Sequence, residues 1–427
     1  MKRPTPASLK RLTAGNLAAL GADRLAEILL SAADGRAELK RRLRMELAAE
    51  VGPDHLAAEI DKRLGTLASS RSKVSWRQRA TFVRDLDVLR ALIAGRLGGL
   101  DAAAALERMW LFIDLAPGLE VRVRDKDGEI AAVFERAARD LGALVGQAGE
   151  ATPAKRLVEA LTRNPWDWAE WLPPVLGHAP PSLAQAALRE MAGQAAAKPG
   201  WIPLIRLLAD ASGEVDAYRA TFTAVALRHP AVAAGVARRM LAAERIEEAG
   251  RLLQAATPGA VDKVRADKGR AARVEAEPRD PEWETAWIDY LERSGQADAA
   301  QAERWSAFER TLSAELARAF TRRLTDFEDV EAEARAFAYA AGHPDFQRGL
   351  RFLMDWPALG DAARMIQARA DDLRISAADA ELWASRLRGR YPDAAVLLLR
   401  KAAADALRRR DHAACDRLTH EAEALAS

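Results

Sequence analysis

The sequence predicts an all-α protein, with an N-terminal helical bundle followed by an α-solenoid-like array of antiparallel helix pairs. Three observations predict it. Apolar residues recur with the 3.6-residue period of an amphipathic helix through nearly all of the 427 residues. The chain contains 95 Ala and 53 Arg, two residue types that lose little side-chain freedom in a helix. Only residues 121–124 alternate as a strand would, and that segment is too short for a sheet.

Apolar stripes and helix-start signals place the elements in order along the chain. Phe82, Leu86, Leu89 and Ile93, for example, fall on one helical stripe. A stripe of this kind must pack against a neighbour, because an isolated helix is marginal in water. The predicted helices span residues 14–33, 36–50, 54–68, 77–98, 101–115, 128–147, 153–163, 182–197, 201–211, 215–228, 230–242, 244–256, 281–294, 297–322, 327–341, 344–355, 359–372, 377–388, 392–408 and 411–425.

Residues 125–128 (DKDG) suggest either a calcium loop or a helix start. In a calcium loop Val123 and Phe134 would occupy positions that need oxygen ligands, which excludes that interpretation. The pattern instead predicts a turn in which Asp127 caps the helix that begins at Gly128. Further along the chain, Ser376 is expected to cap the helix that follows it.

Two breaks in the helical pattern predict three regions. Residues 148–153 interrupt the period, and residues 257–281 are rich in charge and proline and lack an apolar stripe. The second segment is an exposed linker or a loose helix. The regions are an N-terminal helical domain, a middle helical-hairpin region and a C-terminal helical-repeat region, at residues 1–150, 151–257 and 258–427.

Small residues open the second helix of several helix pairs in the C-terminal half. Small side chains let two helices approach closely, as in tetratricopeptide-type hairpins. The spacing between these segments is irregular, so the pattern indicates a degenerate array rather than a regular 34-residue repeat. The segments are 246–253 (IEEAGRLL), 297–301 (ADAAQ), 359–366 (LGDAARMI) and 412–415 (HAAC).

Charge is distributed unevenly, although the formal net charge is only +2. Residues 1–100 contain 19 Lys and Arg against 11 Asp and Glu, whereas the rest of the chain is acidic overall. A basic region attracts anions, nucleic-acid phosphates included. Cys415 is the single cysteine, and no apolar run is long enough for a membrane span. We therefore expect a cytoplasmic protein without a membrane span.

The chain lacks the glycine-spaced motifs that bind phosphates or form nucleophile elbows, and it lacks His-Glu-x-x-His. His412, Cys415 and His420 form one local cluster, but His420 falls on another helical face. Cys415 is therefore expected to be a packing residue. The sequence predicts no catalytic residue, no metal and no cofactor.

The most distinctive segment is the basic loop, residues 69–79 (SSRSKVSWRQR). Arg71, Lys73, Arg77 and Arg79 surround Trp76 there, and guanidinium groups beside an indole suit contact with a phosphate or a nucleic acid. The alternative is a polar connector in which Ser75 caps the next helix and Trp76 anchors it. The absence of glycine within the loop favours the connector.

Trp166, Trp168 and Trp171 form a second candidate binding site. Three indoles within six residues suit a ligand groove, but indoles also fill helix–helix junctions. Both interpretations stay open, with core packing the favoured one.

Several segments resemble an uncharacterised bacterial all-helical family, a domain of unknown function. They are residues 17–25 (LAALGADRL), 39–43 (LKRRL), 71–77 (RSKVSWR) and 112–117 (FIDLAP). The C-terminal half also resembles the helical array of proteins that carry a Cys/His zinc-finger module. That module needs several cysteines, so its zinc ligands do not transfer to this chain. The resemblance implies an all-helical fold and supplies no activity.

Helical arrays expose extended surfaces that bind other macromolecules. The favoured function is therefore a non-enzymatic scaffold that binds a protein partner. The first alternative is nucleic-acid or anion binding through the basic N-terminal region, led by Arg41, Arg42, Arg44 and the basic loop. The second alternative is an enzyme whose catalytic residues are dispersed along the chain.

Overall fold

The computed structural model of the chain is built from helices, and the residues that it describes contain no β-strand. The predicted all-α class is confirmed. The chain divides into two compact units, Met1–Thr223 and Ala224–Ser427. The described residues are 13–125, 127–149, 153–192, 200–257, 279–325 and 327–426.

The first unit contains fourteen described α-helices, and a π-helical stretch, Leu92–Leu97, continues the fifth into the sixth. They are α1 (Ala14–Ala18), α2 (Ala22–Ala33), α3 (Ala37–Val51), α4 (Pro53–Ser69), α5 (Trp76–Ala91), α6 (Gly98–Leu100), α7 (Ala102–Ile113), α8 (Ala116–Arg122), α9 (Glu129–Ala148), α10 (Pro153–Arg163), α11 (Pro165–Leu176), α12 (Pro181–Ala192), α13 (Trp201–Ser212) and α14 (Val215–Ala220).

Aromatic side chains from α7, α9 and α11 form the centre of the first core. The rings of Phe112 and Phe134 lie 5.5 Å apart, and the Phe134 and Trp171 rings lie 5.9 Å apart. Trp110 and Trp168 form a further pair at 5.8 Å. Large aromatic residues bury the most apolar area per side chain, so these contacts hold the three helices together.

The second unit begins with a 3-10 turn, Ala226–Arg228, and contains a second one, Ala370–Asp372. Its described α-helices are α15 (Pro230–Ala242), α16 (Ile246–Ala255), α17 (Pro281–Arg293), α18 (Ala297–Thr311), α19 (Ala314–Thr321), α20 (Glu328–Gly342), α21 (Phe346–Asp355), α22 (Leu359–Ala368), α23 (Ala377–Leu387), α24 (Pro392–Arg408) and α25 (His412–Ala426).

Consecutive helices of the second unit pack against each other, and glycines permit the closest approaches. A Cβ added at Gly349 would lie 2.1 Å from the carbonyl oxygen of Ala340. A Cβ added at Gly250 would lie 2.4 Å from the Tyr290 ring. The first distance is to a backbone atom, so α21 needs glycine where it meets α20, whereas a side chain at Gly250 would require the Tyr290 ring to move. This packing is consistent with a helical array.

Four predicted helices are interrupted. The helix expected over residues 215–228 ends at Ala220 and is followed only by the 3-10 turn, and the helix expected over residues 359–372 ends at Ala368 before the second 3-10 turn. The helix expected over residues 14–33 breaks between α1 and α2, where Gly21 has a φ of +84°. The helix expected over residues 297–322 ends at Leu312, whose φ is +52°. Ser313 then starts a new helix, because its side chain accepts a hydrogen bond from the Leu316 N–H.

The cap predicted for α9 was assigned to the wrong aspartate. Asp125, not Asp127, accepts hydrogen bonds from the N–H groups of Glu129, Ile130 and Ala131. Asp127 pairs with an arginine of α5 instead. The prediction that Ser376 caps the following helix is confirmed, since its hydroxyl accepts from the Asp379 N–H at 3.1 Å.

Several predicted features lie outside the described residues. They include residues 258–278 of the linker or loose helix, residues 150–152 of the first break, and residues 193–197 of one predicted helix. The division at residues 150 and 257 stays a prediction. No helix in the described part of the chain is long and apolar enough to cross a membrane.

Candidate functional site

The segment between α4 and α5 is held in place by Arg122, at the end of α8. The Arg122 guanidinium donates to the carbonyl oxygens of Leu67 and Ser72 at 3.0 and 3.1 Å, and to the Ser70 hydroxyl at 3.0 Å. In return, the Val74 N–H donates to the Arg122 carbonyl oxygen at 3.1 Å. These bonds fix the connector without a carboxylate, so the positive charge of Arg122 is not neutralised by them.

This connector closes one side of a cavity of about 450 Å³, which we call the basic cavity. Side chains from α3, α4, α5 and α8 line the rest of it. Its cationic lining residues are Arg41, Arg63, Lys73, Arg77 and Arg122, and its acidic ones are Glu38 and Asp85. The lining therefore carries a formal charge of +3.

Asp85 is shared by two of these arginines. Its carboxylate accepts hydrogen bonds from Arg41 at 3.0 Å and from Arg63 at 2.5 Å. Burial lowers the pKa of the Arg63 guanidinium, Asp85 acts against that effect, and repulsion from Arg41 and Arg122 lowers the pKa further. The net pKa lies below its usual value, because burial together with the repulsion from the two arginines exceeds the effect of Asp85.

Arg41, which lines the basic cavity, also has an unsatisfied hydrogen-bond donor. The Arg41 Nε is buried and has no hydrogen-bond partner among the described residues. A buried donor without an acceptor is costly, so Arg41 carries an uncompensated polar group at this position.

The other two cations of the basic cavity are free of carboxylates. Lys73 and Arg77 are exposed, and neither forms an ion pair within the described part of the chain. α5 starts directly after the connector, so the first N–H groups of that helix add partial positive charge at the same place.

At the start of α5, the indole of Trp76 is 80% exposed. The Arg77 guanidinium lies 5.2 Å from the centre of its ring. The connector interpretation is therefore wrong in two details. Trp76 does not anchor the helix in the core, and the Ser75 hydroxyl donates to the Gln78 side chain at 3.0 Å instead of capping α5.

The predicted cations of the basic loop thus separate into three environments. Lys73 and Arg77 line the basic cavity, and Arg71 is exposed just outside its lining. Arg79 pairs with Asp127 and Glu129, so it holds the start of α9 and is not available to a ligand there.

The tryptophan cluster is also divided. Trp168 and Trp171 are buried in the core of the first unit, with only 3% and 8% of their surface exposed. Those two side chains have the packing role that the sequence favours. Trp166 alone is exposed, at 72%, and therefore remains open to solvent.

Sequence reasoning missed four of the seven charged residues of the basic cavity, namely Glu38, Arg63, Asp85 and Arg122. Arg63, Asp85 and Arg122 lie on three different helices, and Arg122 is 50 residues from the connector carbonyl that it binds. No local pattern marks them, because each resembles any charged residue on a solvated helical face.

Two other cavities of the first unit have no excess of cations. One, of about 570 Å³ between α7 and α10, is lined by three acids and three bases, among them the ion pairs Arg156–Glu107 and Arg163–Asp114. Another, of about 500 Å³ between α4 and α7, is lined by the Arg108–Asp61 pair together with Glu107 and Asp114, so its lining carries a formal charge of −2. Neither lining is positive, which distinguishes both from the basic cavity.

Two carboxyl groups have a raised pKa. Burial, followed by repulsion from Asp167 and Glu170, raises the pKa of Glu120. Burial, followed by repulsion from Glu292, raises the pKa of Asp289. Neither side chain lines the three cavities described above.

The C-terminal cysteine contributes to packing. Cys415 is free and lies partly buried against the core of the second unit. Within the described ranges, no group of three or more His, Cys, Asp and Glu side chains is placed to hold a metal ion.

Comparison with known proteins identifies a family and no activity. A model described as "Family of unknown function (DUF6880)" matches residues 7–203 and 201–427. No curated protein matches the chain. Together the two matched segments span nearly the whole sequence, which confirms the resemblance to an uncharacterised all-helical family. The chain belongs to the family of unknown function DUF6880.

Proposed function

We propose that the chain is a cytoplasmic protein that binds a phosphate-bearing ligand in the basic cavity. One observation carries the proposal: five cations and two carboxylates line the cavity, and Lys73 and Arg77 have no carboxylate partner in the described part of the chain. A phosphate brings several acceptor oxygens and a negative charge, which match the exposed cations Lys73 and Arg77.

The basic cavity is organised before a ligand arrives. Three hydrogen bonds from Arg122 hold the connector, so the ligand does not have to order it. Burial, followed by repulsion from Arg41 and Arg122, lowers the pKa of Arg63, and a bound anion acts against that repulsion. The positive charge of the lining therefore favours an anion over a neutral ligand.

Calorimetric titration of the full chain with inorganic pyrophosphate tests the proposal. Arg77→Gln removes one charged contact and is expected to weaken binding by roughly 10- to 100-fold. Arg84→Gln is the matched control, because Arg84 is an exposed arginine of α5 that does not line the basic cavity. Absence of pyrophosphate binding, or equal weakening by both variants, would overturn the proposal.

A second function, a scaffold for a protein partner, is favoured by exposed apolar side chains in the first unit. Large apolar side chains of α2 and α3 are exposed, although they belong to amphipathic helices. They are Ile28, Leu29, Leu30, Leu47 and Val51. Exposed apolar groups of this kind commonly mark protein-binding surfaces. On this proposal the second unit is a degenerate tetratricopeptide-like array.

The scaffold proposal is tested with a protein that is captured on the native chain and then purified. The partner is expected to bind the native protein and to lose binding when Leu30→Asp and Leu47→Asp are combined. Leu407→Asp, which changes a leucine that is 53% exposed in the second unit, is the control. A partner that binds the double variant as tightly as the native chain excludes this surface.

A further inference from the structure

The exposed indole of Trp76 is unusual in this protein. All eleven tryptophans lie within the described residues, and only Trp76 and Trp166 are exposed. The other indoles are buried or partly buried. Leaving an indole in water forgoes much apolar burial, so an exposed one beside a cavity is available to cover a ligand.

The positions of the neighbouring cations show what kind of ligand fits. Lys73 and Arg77 line the basic cavity, whereas Trp76 and Arg71 lie outside its lining. Arg71 is exposed and has no ion pair among the described residues. Positive charge therefore lies both inside the cavity and beyond it, and the exposed indole of Trp76 lies directly beside Arg77 of the lining. A ligand that uses all three features carries more than one phosphate and a planar group.

We infer that the ligand of the basic cavity is a single-stranded nucleic acid, with one base stacked on Trp76 and phosphates bound by Lys73, Arg77 and Arg71. This inference rests on the proposed binding of a phosphate-bearing ligand. A base of a single strand can rotate onto the indole, whereas the bases of a duplex are stacked on each other and present only their edges.

The same arrangement predicts little sequence preference. Every base has a planar face that can stack on an indole, and the cations contact only the backbone. Arg77, which lies near one face of the Trp76 ring, adds a cation–π contact that keeps the indole in position.

The test measures fluorescence anisotropy of a labelled dT oligonucleotide of about 12 nucleotides with the full chain. Trp76→Ala is expected to raise the dissociation constant roughly 5- to 150-fold, which corresponds to the stacking of one base. Trp76→Phe keeps an aromatic face and is expected to stay within about threefold of the native chain. Trp166→Ala is the matched control, because it removes the other exposed indole and is expected to change nothing.

Competition defines the class of ligand. An unlabelled duplex of the same length and thymidine 5′-monophosphate are expected to compete at least roughly tenfold less well than the unlabelled single strand. A duplex or mononucleotide that competes equally well, or a Trp76→Ala variant with native affinity, would overturn the inference.

Pyrophosphate titration separates the two proposals. Trp76→Ala is expected to bind pyrophosphate as the native chain does, since pyrophosphate has no planar group. If pyrophosphate binding depends on Arg77 but the oligonucleotide does not depend on Trp76, the cavity binds phosphate and the inference about the strand is wrong. If neither probe binds the native chain, both proposals fail.

Discussion

The two units of this protein use arginine in different ways. In the second unit, Glu292 accepts hydrogen bonds from Arg304 and Arg323, and Arg304 is almost completely buried. In the first unit, Asp85 serves two arginines of the basic cavity in the same manner. Each cluster thus contains one carboxylate that is shared between two guanidinium groups.

The difference lies in the charge that remains. Near Glu292, the carboxyl group of Asp289 is close enough for the two to repel each other, and Arg293 and Arg238 also act on Asp289. Arg238 pairs with Glu282, so three acids face four arginines there and the formal charge is only +1. The basic cavity instead adds Lys73, Arg77 and Arg122 beyond the pair that Asp85 serves. We infer that the Glu292 cluster stabilises the fold of the second unit, whereas the basic cavity of the first unit has positive charge left for a ligand.

The largest expected effect is on the cluster around Glu292 in the second unit. Glu292→Gln leaves the buried Arg304 without its carboxylate and is expected to lower the free energy of unfolding by about 3 kcal/mol. Urea denaturation followed by tryptophan fluorescence measures it. Glu381→Gln breaks the exposed pair with Arg417 and is expected to cost less than about 1 kcal/mol. If Glu292→Gln and Glu381→Gln lower the free energy of unfolding equally, the buried Glu292 cluster stabilises the fold no more than an exposed ion pair does.

A smaller loss of stability is expected from the corresponding carboxylate of the basic cavity. Asp85→Asn is expected to cost about 1–3 kcal/mol, because two partly buried arginines lose their partner. The same change is expected to tighten pyrophosphate binding, since the cavity becomes more positive. Glu38→Gln also removes a negative charge from the lining but breaks no ion pair, so it should tighten binding with little loss of stability. Weaker binding by both variants would contradict the proposed site.

We expect acid to reduce the stabilisation that Glu292 gives to the second unit. Burial alone would raise the pKa of Glu292, but hydrogen bonds from Arg323 and Arg304 outweigh burial and lower it. Because the folded pKa lies below the unfolded value of about 4.3, the stabilisation is complete above that pH and is lost as pH falls through the folded pKa. The difference in unfolding free energy between the native chain and Glu292→Gln should therefore narrow below roughly pH 4. A constant difference would show that Glu292 does not titrate in this way.

The smallest effect on stability is expected from the exposed cations that line the basic cavity. Lys73→Gln and Arg77→Gln remove exposed cations without a carboxylate partner in the described region, so each should change the free energy of unfolding by less than about 0.5 kcal/mol. Thermal unfolding checks this in the samples used for pyrophosphate titration. A loss above about 1 kcal/mol would indicate that these residues support the fold.

Part of the candidate site was predictable because it is local in sequence. The basic loop contains Lys73, Trp76 and Arg77 within five residues, a density of cations around an indole that suits an anion, although the lack of glycine in the loop favoured the connector interpretation. Arg63 and Arg122 carry no such signal, because helix packing brings them to the loop from other segments. Arg79 has the same local setting as Arg77, and only its ion pairs at the start of α9 distinguish it.

The amino-acid sequence by itself determined the all-α class and most helix positions, because the 3.6-residue period and the punctuation by proline and small residues are local properties. Tertiary structure decided which of many similar side chains are buried or neutralised. Trp168 is buried and Trp166 is exposed two residues away, since they face opposite sides of α11. The physical reason is that burial and charge compensation depend on which helices face each other, and one amphipathic stripe does not specify its partner.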